Sequence, residues 1–287
     1  MQPFTEKCVE KGLLLSTILS GSITLCILFF MVIFSLPLFE GGQIDQFIRL
    51  EWNPYEGDFG ILPMMVGTGL IAFLALVIAV PFGLGCSALI SVFAHGNFSS
   101  LLRKIVELMT GIPTVIYGFA ALFLLVPMIR EIFQRGTGMC ILSASIMLAI
   151  LILPTIILFM SDALNSVPKS YLDAADALGA TSAQKLIYVM IPSAWSGMIS
   201  GLILATGRVV GDTLIALMIA GNAIQVPKSL SDSGRTLTSH IALIIASDYE
   251  SLEFKSIFLC GLILFIYTTL TVFGLRLFRY LKIIGDR

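Results

Sequence analysis

Charge is what this sequence has least of. Only 12% of its 287 residues are Asp, Glu, Lys or Arg, about half of the roughly 25% usual in a soluble domain. A formal net charge of −1 argues against nucleic acid as a partner, because the chain has no basic surplus to neutralise a phosphate backbone. Histidine is nearly missing: His95 and His240 stand apart, and neither belongs to a ligand cluster. The five cysteines, Cys8, Cys26, Cys86, Cys140 and Cys260, mostly lie in or beside apolar segments without paired spacing. That pattern reads as small apolar packing, not as a metal or disulfide framework. No GxxxxGK[ST], HExxH or GxSxG occurs. The chain therefore lacks a recognisable site for burning a nucleotide or cleaving a bond, and neither cofactor nor metal is expected.

What fills the space is apolar. Ala, Val, Ile, Leu, Met, Phe, Trp, Tyr and Cys make up 57% of the chain, which places it among all-α polytopic membrane proteins. Six membrane-length runs are expected, at 12–37, 61–93, 105–128, 139–160, 195–220 and 255–277. The first has no small-residue cleavage site before a soluble domain, so it is read as a retained helix and not as a signal peptide. A polar, acidic stretch follows, carrying Glu40, Asp45, Glu51, Glu56 and Asp58. The chain thus divides into 1–60, a helix with an acidic extracytoplasmic loop, and 61–287, a five-helix core. Pro81 in the second run predicts a kink or tilt. Pro113 breaks the backbone ladder in the third, where Thr114 offers a hydroxyl; this is either a packing kink or part of a pathway. Gly67-Thr68-Gly69 with Ala72, and Gly83-Leu84-Gly85 with Ala88, loosely satisfy a dinucleotide fingerprint. Both lie inside one membrane run without a preceding strand, so helix packing is the better reading.

Two stretches carry the functional signal. Between 161 and 192 the chain leaves the membrane with DAADAL, a good helix former, then Gly179 as a helix stop and Thr181 as the cap of a second helix. Pro192 is expected to redirect the chain at the end of that helix. Two short helices joined by a tight elbow make a knob suited to docking. The next run, 195–220, holds Arg208 and Asp212. Four helical residues apart, the pair is expected on one face, about one turn apart. Arg208 falls near mid-bilayer, where a charge must face a partner or water. Gly197, Gly201 and Gly211 on or near that face mark it as packed against other helices or a cavity. Either the pair lines a pathway, or it is a staple that only holds helices together.

Lys and Arg set the orientation. With six spans, both termini and the 161–192 loop share a side with Lys7, Lys11, Arg103, Lys104, Lys169, Lys185, Arg276, Arg279, Lys282 and Arg287. The other side has Arg49, Arg130, Arg135, Lys228, Arg235 and Lys255. The positive-inside rule makes the knob and both termini cytoplasmic, in a multi-pass cytoplasmic (inner) membrane protein.

These residues resemble a known family. The 161–192 loop is similar to the EAA coupling loop of ABC importer permeases, with Asp173, Ala174, Ala175, Gly179, Val189, Ile191 and Pro192 filling its pattern. Beyond it, Trp52-x-Pro54, Phe59-Gly60-Ile61-Leu62-Pro63 with Gly67-Thr68, Ile112 to Gly118 and Gly207-Arg208-x-x-Gly211-Asp212-Thr213 resemble the phosphate importer permeases. Ala220-Gly221-Asn222, Gln225-x-Pro227, and Thr236-Leu237-Thr238 with Ile241-Ala242 look closer to PstC than to PstA subunits. Asp173 and Asp212 stand where that pattern has Glu, and Thr114 where it has Ser. The resemblance implies a type I ABC importer permease architecture that passes inorganic phosphate to the cytoplasm. Arg208, Asp212, Thr213 and Thr114 would line the pathway, and Asp173, Ala174, Ala175, Gly179, Ile191 and Pro192 would couple to an ATPase. It also implies the partners: a homologous PstA-like permease, two cytoplasmic ABC ATPases and an extracytoplasmic phosphate-binding protein. Sulfate, molybdate or a phosphonate are alternative cargoes. A proton-coupled transporter is disfavoured by a relay reduced to Asp212, and a membrane scaffold would have no use for the elbow.

Overall fold

Long runs of Leu, Ile, Val and Phe without charge satisfy every backbone group inside a helix, the arrangement a bilayer demands, and the fold is built almost wholly from such helices. The structure, a computed structural model, describes residues 2–36, 38, 47, 49–94, 96–134 and 136–285. Glu40, Asp45, His95, Arg135 and Arg287 lie outside the described residues, as do the side chains of Lys7, Cys8, Arg279 and Lys282.

Helix α1 (Gln2–Ser35) leads to a small antiparallel hairpin, β1 (Trp52–Asn53) with β2 (Asp58–Phe59). Then come α2 (Leu62–Ala88), α3 (Asn97–Thr110), α4 (Thr114–Ala120), α5 (Val126–Phe133) and α6 (Ile141–Asn165). The rest is α7 (Lys169–Ala177), α8 (Ser182–Lys185), α9 (Ile191–Val210), α10 (Leu214–Ile219), α11 (Leu237–Ile244) and α12 (Leu252–Gly285). Three π-helical turns, Leu89–Phe93, Ala121–Leu125 and Leu186–Met190, extend α2, join α4 to α5 and join α8 to α9. Among the described residues, six helical runs are long and apolar enough to cross a membrane: Val9–Ser35, Leu62–Phe93, Thr114–Phe133, Ile141–Asn165, Ser182–Val210 and Leu252–Leu277.

The number of spans agrees with the sequence; several boundaries do not. The third span begins at Thr114, not at 105, because Gly111 ends α3 and Pro113 is extended (φ −59°, ψ 141°). A proline excludes the residue before it from the helical region, and the chain turns there. The expected turn at 94–104 is largely the start of α3, which carries an apolar stripe of Phe98, Leu101, Ile105 and Leu108. Arg103 pins this helix to the end of α6 through Asp162 (2.8 Å) and also meets Glu107 (3.0 Å). Arg130 lies in α5 and not in a loop, and residues 161–165 are still helical. Pro81 sits inside α2 without ending it.

Helix α6 is the centre of the molecule. Ile141, Leu148, Leu151, Ile152 and Ile156 are all fully buried along it, with α2 and α9 packed on its flanks. Lipid tails are as apolar as leucine, so close packing and not burial as such holds these helices together. The glycines show how close: a Cβ on Gly197 would lie 2.7 Å from the Ala163 Cβ, and one on Gly201 would lie 2.6 Å from the Phe159 Cβ. These two glycines therefore mark a packed face, as the sequence suggests. Helix α1 packs on α12, where Phe34 stacks on Phe258 with ring centroids 4.8 Å apart. A second apolar cluster closes the end of the bundle away from the elbow, from Trp52, Phe59, Met64, Leu237 and Leu259.

Candidate functional site

The elbow is assembled from local turn chemistry. Helix α7 ends in a Schellman motif: the Gly179 amide donates to the Asp176 carbonyl (2.9 Å) and the Ala180 amide to the Ala175 carbonyl (3.0 Å). Gly179 holds φ at +75°, a left-handed value that L-residues with bulky side chains avoid. Thr181 then starts α8 with a capping box. Its amide donates to Gln184 Oε1 (2.8 Å) and its hydroxyl accepts from the Gln184 amide (3.4 Å). Across the bend, Lys185 Nζ meets Asp176 Oδ1 at 2.7 Å. Ala175, Leu186 and Met190 face inward, while Asp173, Ala174, Gly179 and Pro192 are exposed and Ile191 is half-buried. Leu178 at the tip is 89% exposed and Tyr188, in the π turn, 75%, a pronounced apolar display on the elbow.

Pro192 does not redirect the chain. Helix α8 runs through the π turn into α9 as one helical stretch, Ser182–Val210. In the turn, the Ile191 amide reaches back five residues to the Leu186 carbonyl. Pro192 sits in the first turn of α9, where its missing N–H is tolerated. The second arm of the elbow is thus the foot of a membrane helix.

Arg208 stands in the last turn of that helix, which ends at Val210 with Gly211 as its cap. The expected single helix through 195–220 is therefore broken, although Asp212 still follows Arg208 by one turn, with the Asp212 amide on the Val209 carbonyl (3.2 Å). Among the described residues no ion pair joins them within 4 Å. Arg208 Nη1 instead points to the Thr155 hydroxyl at 3.4 Å. Thr155 lies fourteen residues past Ile141 and ten before Asn165 on α6, about 21 Å and 15 Å from its ends at 1.5 Å per residue. The guanidinium consequently sits near mid-height of the bundle, half-buried. It borders a cavity of about 660 Å³ lined by Thr110, Thr155, Phe159, Leu204 and Gly207 among others. Its place at a helix C-terminus favours a cation locally.

Asp212 has a different partner. Its Oδ1 accepts the Ile215 amide at 2.9 Å, satisfying a free N–H at the start of α10. Its carbonyl accepts the Thr238 hydroxyl at 2.8 Å, so α11 is tied to the break. Thr213 is the N-cap residue of α10. Thr114 is half-buried at the start of α4. That helix packs on α10 at Gly118, where a Cβ would lie 2.5 Å from the Met218 sulfur. The fold thus groups Arg208 with Thr155 and Thr110, and sets Asp212 and Thr213 at the break, with Thr114 four residues before the Gly118 contact on α10. Sequence reasoning missed Thr155, although a hydroxyl within LILPTIILF, directly after Pro154, is the polar exception in an apolar run.

Residues 79–282 match the family described as binding-protein-dependent transport system inner membrane component. The match spans both the elbow and the break after Arg208. This chain belongs to that family. Within the binding-protein-dependent transport family, it is 34% identical over 238 residues to a probable ABC transporter permease protein, YqgH, of Bacillus subtilis, covering 82% of this chain and 77% of that one. It is 30% identical over 271 residues to the phosphate transport system permease protein PstC of Xylella fastidiosa, covering 84% and 82%. Solved relatives share the fold. One is a bacterial ABC transporter involved in import of the polysaccharide alginate (TM-score 0.64, 13% identity, 94% of this chain and 96% of that one). Another is the inward-facing MetNI methionine ABC transporter (TM-score 0.57, 20% identity, 78% and 94%). The architecture is that of a type I ABC importer permease, and the chain is a multi-pass membrane protein.

Proposed function

We propose that this chain is the PstC-like permease subunit of an ATP-driven importer that moves inorganic phosphate into the cytoplasm. The observation that carries the reading is a guanidinium near mid-height of the membrane bundle, beside a cavity, with no carboxylate within 4 Å among the described residues. A permanently charged planar fork suits an oxyanion, which it meets with two parallel N–H groups. The relatives named for phosphate transport support phosphate as the cargo.

In this reading Arg208 contacts the oxyanion in transit, and Thr155 and Thr110 supply hydroxyls along its cavity. Asp212 and Thr213 hold the break that ends the Arg208 helix, and Thr114 borders it through α4. The elbow, with Asp173, Ala174, Ala175, Gly179, Ile191 and Pro192, couples the chain to a cytoplasmic ATPase pair. The chain hydrolyses no nucleotide itself. A PstA-like second permease completes the pathway, and an extracytoplasmic phosphate-binding protein delivers the substrate. Both termini and the elbow face the cytoplasm.

The deciding experiment reconstitutes the chain with these partners in liposomes and measures ATP turnover against loaded binding protein. Phosphate-loaded protein should stimulate turnover and drive uptake of labelled phosphate. Stimulation by a sulfate, molybdate or phosphonate binding protein, with none by phosphate, would move the chain to another oxyanion.

A further inference from the structure

At the end of the bundle opposite the elbow, a second arginine is held half-buried, with no carboxylate within 4 Å among the described residues. The loop 228–234 closes over the N-terminus of α6: the Ile141 and Leu142 amides donate to the carbonyls of Asp232 (3.0 Å) and Leu230 (2.9 Å). That end of α6 lies about 37 Å from the end that feeds the elbow, for 25 residues at 1.5 Å each. Arg235 follows directly. Its backbone is clamped, since a Cβ on Gly67 would come within 2.3 Å of the Arg235 carbonyl oxygen. The Leu237 amide donates to the Thr68 hydroxyl (2.9 Å), and Gly234 bridges to Gly221.

The guanidinium is aimed but not neutralised. Nε donates to the Asn222 carbonyl at 3.1 Å and Nη1 lies 3.3 Å from His240 Nδ1, leaving three of the five N–H donors of an arginine for something else. No carboxylate lies within 4 Å among the described residues. His240 gives no counter-charge. It is fully buried, with Trp52 edge-on at 4.3 Å, and burial pushes its pKa down to about 3, so the ring is neutral and Nδ1 accepts. Two buried polar atoms in this cluster, His240 Nε2 and Asn222 Oδ1, have no hydrogen-bond partner among the described residues. The Asn222 amide orientation is fixed, because Nδ2 donates to the Leu217 carbonyl (2.7 Å). A cation with no carboxylate within 4 Å among the described residues, set beside an orphaned His240 Nε2–H in one rigid corner, calls for an anionic ligand, whereas the Asn222 Oδ1, an acceptor, calls for a donor such as the proton of a hydrogen phosphate.

We propose that Arg235 is a second oxyanion-binding residue, an outer subsite that takes phosphate before it passes the 211–213 break to Arg208. This rests on the phosphate reading above and adds the residue that receives the ion first. The Thr238 hydroxyl on the Asp212 carbonyl links the two levels: only Thr236 and Leu237 separate Arg235 from the residue that touches the break. Loss of Arg208 would stop transit, whereas loss of Arg235 would weaken capture.

The test uses the complete importer in membranes. Wild-type uptake of phosphate is verified first; its absence would remove the parent reading and this proposal with it. With the wild type active, Arg235→Gln should lower uptake at limiting phosphate about tenfold, the scale of one lost charge-assisted contact, and recover toward the wild-type rate at saturating loaded binding protein. Arg235→Lys should keep most activity. Because Arg235 also braces Asn222, Arg235→Cys is assembled and then treated with a thiol reagent that adds an aminoethyl cation or with one that adds a neutral methyl group, wild type serving as control for the native cysteines. The cation alone should restore uptake, and phosphate-loaded binding protein should slow the labelling. Equal rescue by the neutral reagent, or wild-type uptake by Arg235→Gln at limiting phosphate, would overturn the subsite.

Discussion

The Asp212 carboxylate accepts the Ile215 amide at 2.9 Å, and no carboxylate among the described residues comes within 4 Å of Arg208. A spacing of four residues suggested a charge pair on one helix. The helix ends between them, so one residue of the supposed pair caps the next helix and the other faces a cavity. A staple needs both charges in contact; a pathway needs one of them open. The proposed pathway role is of the second kind, and it separates the effects expected of the two residues.

Arg208→Lys should reduce phosphate uptake at least about tenfold at matched expression, since a lysine keeps the charge but not the fork of donors. Thr155→Val should cost no more than about threefold, because a 3.4 Å contact is at the weak end of hydrogen bonding. Uptake by Arg208→Lys equal to wild type would take Arg208 out of the pathway.

Asp212→Asn should stay close to wild type, because an amide oxygen can still accept from Ile215. Asp212→Ala should lose the cap and lower stability by about 0.5–2 kcal/mol, read as a lower melting temperature in detergent. If Asn were as damaging as Ala in uptake, the charge and not the cap would be what matters.

At Gly179 an added Cβ meets nothing within 4 Å, so only its φ of +75° is at stake. Gly179→Asn should be tolerated best, Gly179→Ala should strain the turn by about 1–2 kcal/mol, and Gly179→Val should be worst. The expected defect is loss of phosphate-stimulated ATP turnover with the protein still in the membrane. A fully coupled Gly179→Val importer would refute the docking role.

The elbow was legible in the sequence because its signals are local. Gly179 and Thr181 announce a helix stop and a helix start within three residues, and the structure places both there. The break after Val210 was not legible, since no proline marks it and Gly207 and Gly211 also suit helix packing. Helix α3 is hidden for the opposite reason: its apolar stripe blends into the run that follows, and Pro113 reads equally as a packing kink or a pathway break inside one span and not as the boundary it is. Thr155 is fifty-three residues from Arg208, a distance no local pattern spans.

His240 should make the protein acid-sensitive. With the folded-state pKa pushed down to about 3 from an ordinary 6.5, the unfolded chain binds a proton in that window and the folded chain does not. This contribution is fully present above pH 6.5 and is lost as pH falls toward 3. The melting temperature in detergent should therefore drop from pH 7 to pH 4.5, and His240→Asn, which cannot titrate, should flatten the slope. An unchanged slope would show that other groups set it.

Orientation follows from labelling. Cysteines at Asp58 and Asp232 should react with an impermeant reagent added to intact cells, and one at Ser182 should react only after lysis. The reverse pattern would invert the protein and its partners.

The π turn at Leu186–Met190 lies between the elbow and Arg208 on one unbroken rod, 29 residues from Ser182 to Val210. Each residue of an α-helix advances the azimuth by about 100°, and a π turn stores one residue more than an α turn would. Tightening that turn to α geometry would act as a crank: everything beyond it would swing by about 100° relative to the knob. Arg208, at the far end of the rod, would then sweep from one wall of its cavity toward another. A partner that gripped the knob could in this way aim the charge without pulling on it.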